Sequence, residues 1–160
     1  MQKGIVIYKL VSLGWDVSDH FGDGYDLIAS KGKNTIKIEL KAIDLNRIKD
    51  GNKATQHLTA NEIISSTHII LTIFNDLAVI STYVMSIPQF VEKSLPRKYL
   101  NEYKKYQEFL PEYLSLATKQ RKKKKGDKKG PRLDFDIYYD HKNSKRFRYS
   151  SFHEKWDNLR

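Results

Sequence analysis

Cysteine is absent from the 160-residue chain, which excludes disulfides and thiolate metal sites and agrees with an intracellular, cytoplasmic protein. Long apolar runs are missing too. The most apolar stretch, "IISSTHIILTIF" from Ile63 to Phe74, is interrupted by Ser, Thr and His and falls short of the roughly 20 residues that span a bilayer. A signal peptide is not expected, because Lys9 breaks the apolar N-terminal run and no small-residue cleavage site follows. His20, His57, His68, His141 and His153 fall at no metal-ligand spacing. Acid is scarce: 19 Asp and Glu stand against 29 Lys and Arg, giving a net charge of +10.

The basic excess is concentrated. "KQRKKKKGDKKGPR", Lys119 to Arg132, contains one acid, Asp127, and such a block repels itself and seldom folds alone. An anionic polymer suits it, since each neutralised phosphate releases counterions. A solvated loop, or a patch for acidic lipid or protein, is the alternative that charge alone leaves open. Hydrophobic residues at 39% and charged residues at 30% describe a globular chain of one-domain size. Its expected divisions are a core over about 2–84, a helical and basic-loop elaboration over about 85–132, and a C-terminal hairpin and helix over about 133–160.

Periodicity predicts a helix from Gln2 to Leu13 ended by Gly14, then a short strand, Trp15 to Val17. "SDHFGDG" is turn chemistry before two strands, Asp26 to Ser30 and Thr35 to Ile43, around "KGKN". A polar loop, "DLNRIKDGNKATQ", leads to a capping box, Thr59-Ala-Asn-Glu62, that opens a short helix. His68 to Phe74 and Leu77 to Val84 read as strands around Asn75-Asp76, and Arg97 to Leu110 as a helix closed by Pro111. Leu133, Phe135, Ile137 and Tyr139 alternate with Asp134, Asp136, Tyr138 and Asp140; "HKNS" then returns the chain into Lys145 to Tyr149, and Ser151-Phe-His-Glu154 caps a final helix. The order implies an α/β fold with helices flanking a mixed sheet.

The chemistry concentrates in "YDLIASKGKNTIKIELKA", Tyr25 to Ala42. If Ser30 pairs with Thr35 across the turn, Asp26 falls opposite Glu39, on the same side of the sheet as Lys41. Like charges opposite each other destabilise a sheet and need a compensating cation. Lys37 or Lys41 could supply it, and so could Mg²⁺, which binds through one or two carboxylates plus phosphate and water. With phosphate present this is a phosphodiesterase geometry. Lys-x-Glu-x-Lys is equally an ordinary solvent face, and D-x(12)-E-x-K matches unrelated chains by chance.

"GWDVSDHFGDGYDLIASKGKNTIKIELKAID" resembles the core of the PD-(D/E)XK nuclease superfamily, with its restriction-endonuclease-like fold, and within it small resolvase-like and homing-type endonucleases. The resemblance covers roughly Gln2 to Phe74. It implies an endonuclease that cleaves DNA with Mg²⁺, or Mn²⁺ in its place. Asp26, Glu39 and the Leu40 carbonyl would be metal ligands, and Lys41 would position the attacking water. The first helix carries no acid, so either Asp23 or Glu62 substitutes for the glutamate many relatives have there, or Asp26, Glu39 and Leu40 suffice. Tyr25 stands where the family name has proline. For phosphate contacts the candidates are Arg47, Lys49 and Lys53 after the Glu-x-Lys strand, and Lys122, Lys123, Lys124, Lys125, Lys128 and Lys129 in the basic block. A homodimer would suit cleavage of two strands.

Other features are given plainer roles. His141 and Asn143 lack the further ligand on a following helix that an HNH nuclease needs. His20 and His57 are expected in solvent and His68 as a satisfied strand-boundary residue. Tyr99, Tyr103 and Tyr106 are expected to pack on the sheet, and Asp134, Asp136 and Asp140 to pair with the lysine block. The rivals to a nuclease are a non-catalytic nucleic-acid-binding module and a domain that binds an acidic protein.

Overall fold

The computed structural model describes residues 2–22, 24–48, 53–76, 78–95, 97–108 and 135–159. Helix α1 (Gln2–Ser12) buries Val6 and Leu10, one turn apart. It stops where Gly14 takes a φ of 81°, a conformation open to glycine at little cost. Strands β1 (Asp16–Asp19), β2 (Leu27–Lys31) and β3 (Asn34–Asp44) follow as an antiparallel meander. Lys31 pairs with Asn34 and Ser30 with Thr35, the register the sequence predicts, with Gly32 at positive φ in the turn.

After β3 the chain makes a 3-10 turn at Leu45–Arg47, forms β4 (Lys53–Leu58) and enters α2 (Ala60–Ser65). This corrects the expectation of a polar loop up to Gln56. β4 forms because β7 (Phe135–Asp140) pairs with it antiparallel, Gln56 opposite Ile137, and together they make a separate two-stranded sheet. The capping box at Thr59 and Glu62 is present. Strand β5 (His68–Asn75) then lies parallel to β3, and β6 (Ala78–Ser86) returns antiparallel. The main sheet runs β1-β2-β3-β5-β6 and is therefore mixed, with helices on its faces, as expected.

Helix α3 (Ile87–Ser94), which periodicity did not predict, starts from a second capping box at Ser86 and Gln89. Helix α4 spans Arg97–Glu108; Pro111 lies outside the described residues, as does the basic block. The expected C-terminal hairpin and helix do not form. β7 is followed by 3-10 turns at His141–Arg146, Ser150–Phe152 and Trp156–Leu159. Packing explains the difference. Phe147 and Tyr149 are both buried, and the Glu154 amide donates to the Thr82 carbonyl of β6 (2.8 Å). Those contacts hold the segment in a path that a helix capped at Ser151 could not follow, and Glu154 itself adopts a φ of 51°.

Two apolar cores result. On one face of the sheet Leu27, Ala29, Ile36, Ile38, Ile70 and Val84 pack against Val6 and Leu10 of α1. On the other, Ile43, Ile69, Leu71 and Met85 meet Ile63 of α2, Phe90 of α3 and the aromatic residues Phe135, Tyr139, Phe147 and Tyr149. Tyr103 of α4 packs there edge-on to Phe135, 6.2 Å between ring centroids. Strand alternation gives this second face Glu39 and Lys41 as well.

Candidate active site

The β2–β3 ladder ends at the pair Leu27–Ile38, so the edge of β3 runs on beyond its neighbour. Asp26 stands at that end. It is not the ladder partner of Glu39 that the sequence register predicts, because the Asp26 amide donates to Ile38 O (2.9 Å). Its Oδ2 instead accepts the amide of Leu40 (2.8 Å), taking the place the missing strand would have filled. Two residues on, Ala42 O accepts from Gln56 Nε2 of β4 (2.6 Å). Amide and carbonyl of one strand residue point to the same edge, so the Leu40 carbonyl faces the gap between Asp26 and Gln56.

Glu39 is 5% exposed, and Lys41 Nζ lies 2.7 Å from its Oε1. The same ammonium reaches Glu62 Oε1 of α2 at 2.9 Å. Glu62 thus has two tasks, since its Oε2 accepts the Thr59 amide in the capping box (2.6 Å). A cap visible in the sequence therefore delivers an acid to the Lys41 side of the site. From α1, Gln2 Nε2 donates to Lys41 O (2.6 Å). Sequence reasoning missed Gln2 and Gln56. Gln56 was hidden in a presumed loop, and neither glutamine titrates.

Burial sets the protonation of this cluster. It pushes the Glu39 carboxyl up to about 7, against the pull of the Lys41 hydrogen bond and charge, with the charges of Asp26 and Glu62 adding to the rise. Burial also works against the Lys41 ammonium, but hydrogen bonds and charges from Glu39 and Glu62 outweigh it and raise its pKa. Glu62 is lowered: burial opposes its charge, and the Thr59 amide and Lys41 more than compensate. Lys41 is therefore a firmly held cation, and Glu39 a carboxylate whose charge is expensive in its surroundings.

Among the described residues, no three His, Asp or Glu side chains are gathered closely enough to hold a metal ion by themselves. Asp26, Glu39, Lys41 and Leu40 are drawn together at one end of β2. Arg47 lies past the end of β3 with its side chain exposed, its Nε 3.3 Å from Asp44 Oδ2. Lys53 opens β4. Asp23, Lys49 and residues 122–129 lie outside the described residues. Of the histidines expected in solvent, His57 is exposed, whereas His20 is half-buried. His68 is 7% exposed, with Nε2 donating to Asn158 O (2.9 Å) and Nδ1 2.9 Å from Thr67 Oγ1.

No protein-family model matches the chain, and no curated protein matches it. Among solved structures it is similar to Hjc, a Holliday junction resolvase of Archaeoglobus fulgidus, at 13% identity and TM-score 0.38, over 54% of this chain and 70% of that one. It is also similar to I-Ssp6803I, a bacterial homing endonuclease, at 17% identity and TM-score 0.42, over 76% of this chain and 94% of that one. Likenesses this distant transfer no residue role, so function has to be argued from the geometry of the site. No helix among the described residues is long and apolar enough to cross a membrane.

Proposed function

We propose that the protein is an endonuclease of the PD-(D/E)XK type, hydrolysing phosphodiester bonds in DNA at the Asp26, Glu39 and Lys41 cluster. The observation that carries this reading is a buried carboxylate, Glu39, pushed up to about 7 beside the open end of β3. Burying an anion there is unfavourable for a purely structural residue, whereas a cation bound at the strand edge would relieve it.

Mg²⁺ fits the donor set. It needs one or two carboxylates and leaves the rest of its shell to water and phosphate, so a three-carboxylate cage is not required. Asp26, Glu39 and the Leu40 carbonyl would hold it, and Mn²⁺ has the same preference for oxygen. When bound, the ion supplies Lewis-acid polarisation of the phosphoryl oxygen and a more acidic water. Lys41 remains protonated, since its pKa is raised; it therefore acts as a donor that orients the attacking water and stabilises charge developing on oxygen. Glu62 fixes the Lys41 ammonium, and Gln56 fixes the strand edge that presents Leu40. The surplus of 29 bases over 19 acids supplies phosphate affinity without sequence choice. Arg47, Lys49, Lys53 and the lysines of 122–129 are the candidate contacts. A cytoplasmic setting and a dimer, one site per strand, complete the proposal.

One observation favours a second reading, a nucleic-acid-binding module without turnover: Lys41 already pairs with both glutamates, a closed network in its own right. Cleavage of supercoiled plasmid and of a synthetic four-way junction separates the two. Cutting in Mg²⁺ or Mn²⁺, absent with EDTA and abolished by Asp26→Ala and Lys41→Ala variants of native circular dichroism, is the expected result. Salt-sensitive binding without cutting in any metal leaves only the binding module.

A further inference from the structure

Beside Asp26 the chain presents an aromatic and cationic cluster that the proposed hydrolysis does not use. Phe21 is 94% exposed, an unusual position for a phenyl ring. It lies between β1 and β2, where the described residues on either side of it are tied down. The His20 amide donates to Asp26 O (3.0 Å), and Ser66 Oγ, just after α2, donates to Gly24 O (3.0 Å). Gly24 has a φ of 109°, and a Cβ there would meet Ser65 at 2.6 Å, so loop and helix are in close contact.

Next to Phe21 a second aromatic layer is already assembled. The His20 and Tyr25 rings stack at 4.0 Å and 19°. The His20 ring lies over Gly22, whose added Cβ would come within 2.5 Å of it. Lys37 Nζ sits 5.2 Å from the Tyr25 ring centroid; Lys37 projects from the same face of β3 as Glu39. Lys3 Nζ, paired with Asp19 at 2.7 Å, lies 5.9 Å from the Phe21 ring. Free ring faces accompanied by cations are the chemistry that receives a base and its phosphate. A paired base inside a duplex cannot offer its face, so the occupant is a base outside the stack.

We propose that Phe21 is a stacking platform for an unpaired nucleobase next to the scissile phosphate at the Asp26 site, so that the protein prefers nucleic acid with an extrahelical base beside the cut. This rests on the nucleic-acid reading above and narrows its substrate class. The bonds at His20 and Gly24 restrain the backbone near Phe21 before binding, which removes part of the ordering cost.

The test uses the full chain, a duplex with one bulged 2-aminopurine, and the same duplex fully paired. Affinities are measured by anisotropy in EDTA, stacking by 2-aminopurine fluorescence, and cutting in Mg²⁺. The wild type is expected to bind the bulged duplex more tightly and to quench its fluorescence. Phe21→Leu is expected to reduce that preference about tenfold, the usual scale for one lost base–aromatic stack, while Phe21→Trp retains it. Tyr138→Leu, at an exposed ring on β7, keeps the wild-type preference. Equal affinities for both duplexes in the wild type, or a preference unchanged in Phe21→Leu, overturn the platform, and continued cutting would leave the nuclease standing. A preference lost in Phe21→Leu from a protein that cuts neither duplex removes the nuclease and supports the platform within a binding module.

Discussion

The two faces of β3 put alternate residues of one strand to opposite uses. Ile36 and Ile38 face α1 and close a wholly apolar core with Leu27 and Leu10. Glu39 and Lys41, interleaved with them, face α2 and carry charge at a depth where Glu39 is 5% exposed. The first face gains stability from every atom it buries. The second gives some up, because the Glu39 anion is desolvated and only partly repaid by Lys41. Both faces share one backbone, so the apolar side fixes where the charged side sits. On the proposed reading, function here is a local sacrifice of stability on a strand secured from behind.

The comparison breaks most sharply if substitutions on the two faces behave alike. Glu39→Gln should lower cleavage by about a thousandfold, the upper range for losing one preorganised electrostatic group, yet leave the fold as stable as before or more so. The gain in stability should appear only as pH rises. Burial lifts the folded carboxyl from 4.5 to about 7, so the contribution of this group to stability is full below 4.5 and is lost as pH climbs through 7. Ile38→Ala should do the reverse, costing about 3 kcal/mol of stability through the cavity it leaves, with cleavage per folded molecule retained. Chemical denaturation and initial rates on the same preparations decide both.

A smaller effect is expected at Gln56, whose side chain donates to the Ala42 carbonyl. Gln56→Ala should reduce cleavage about tenfold, as loss of an outer-shell support does, and raise the Mg²⁺ concentration needed for half-maximal rate. A drop in maximal rate at unchanged Mg²⁺ demand would detach Gln56 from the metal edge. The smallest effect concerns His68, on the strand next to β3. Burial holds its pKa below the ordinary 6.5, so the neutral ring stabilises the fold above 6.5, and that contribution is lost as pH falls through the lowered value. In the Glu39→Gln background, which removes the opposing carboxyl, melting temperature should decline on acidification below 6.5, and adding His68→Gln should flatten that decline.

The β2–β3 hairpin was legible because alternation and the "KGKN" turn act within a few residues, and its register followed. Glu62 could be placed on a helix from its capping box, and the β3-to-β5 crossover brings that helix to Lys41. What escaped depends on distant partners. Lys53–Leu58 has little strand pattern of its own and becomes β4 only through β7, so Gln56 could not be assigned to the site. The Ser151 and Glu154 spacing promised a helix, but burial of Phe147 and Tyr149 prevailed over a local cap. Asp26 shows both effects. Its side of the sheet was readable, whereas its bond to the Leu40 amide arises because the ladder stops one residue early.

The most direct measurement is a calorimetric titration with Mg²⁺ at pH 6.5 and pH 8, in buffers of differing ionisation enthalpy, for the wild type and Glu39→Gln. If the charged face of β3 is kept for a cation, the wild type binds Mg²⁺ more tightly at pH 8 and releases protons on binding at pH 6.5, while Glu39→Gln loses most of its affinity. Wild-type protein that takes up no Mg²⁺ at either pH, or a Glu39→Gln variant that binds it equally well without proton release, would contradict a metal site at Asp26 and Glu39.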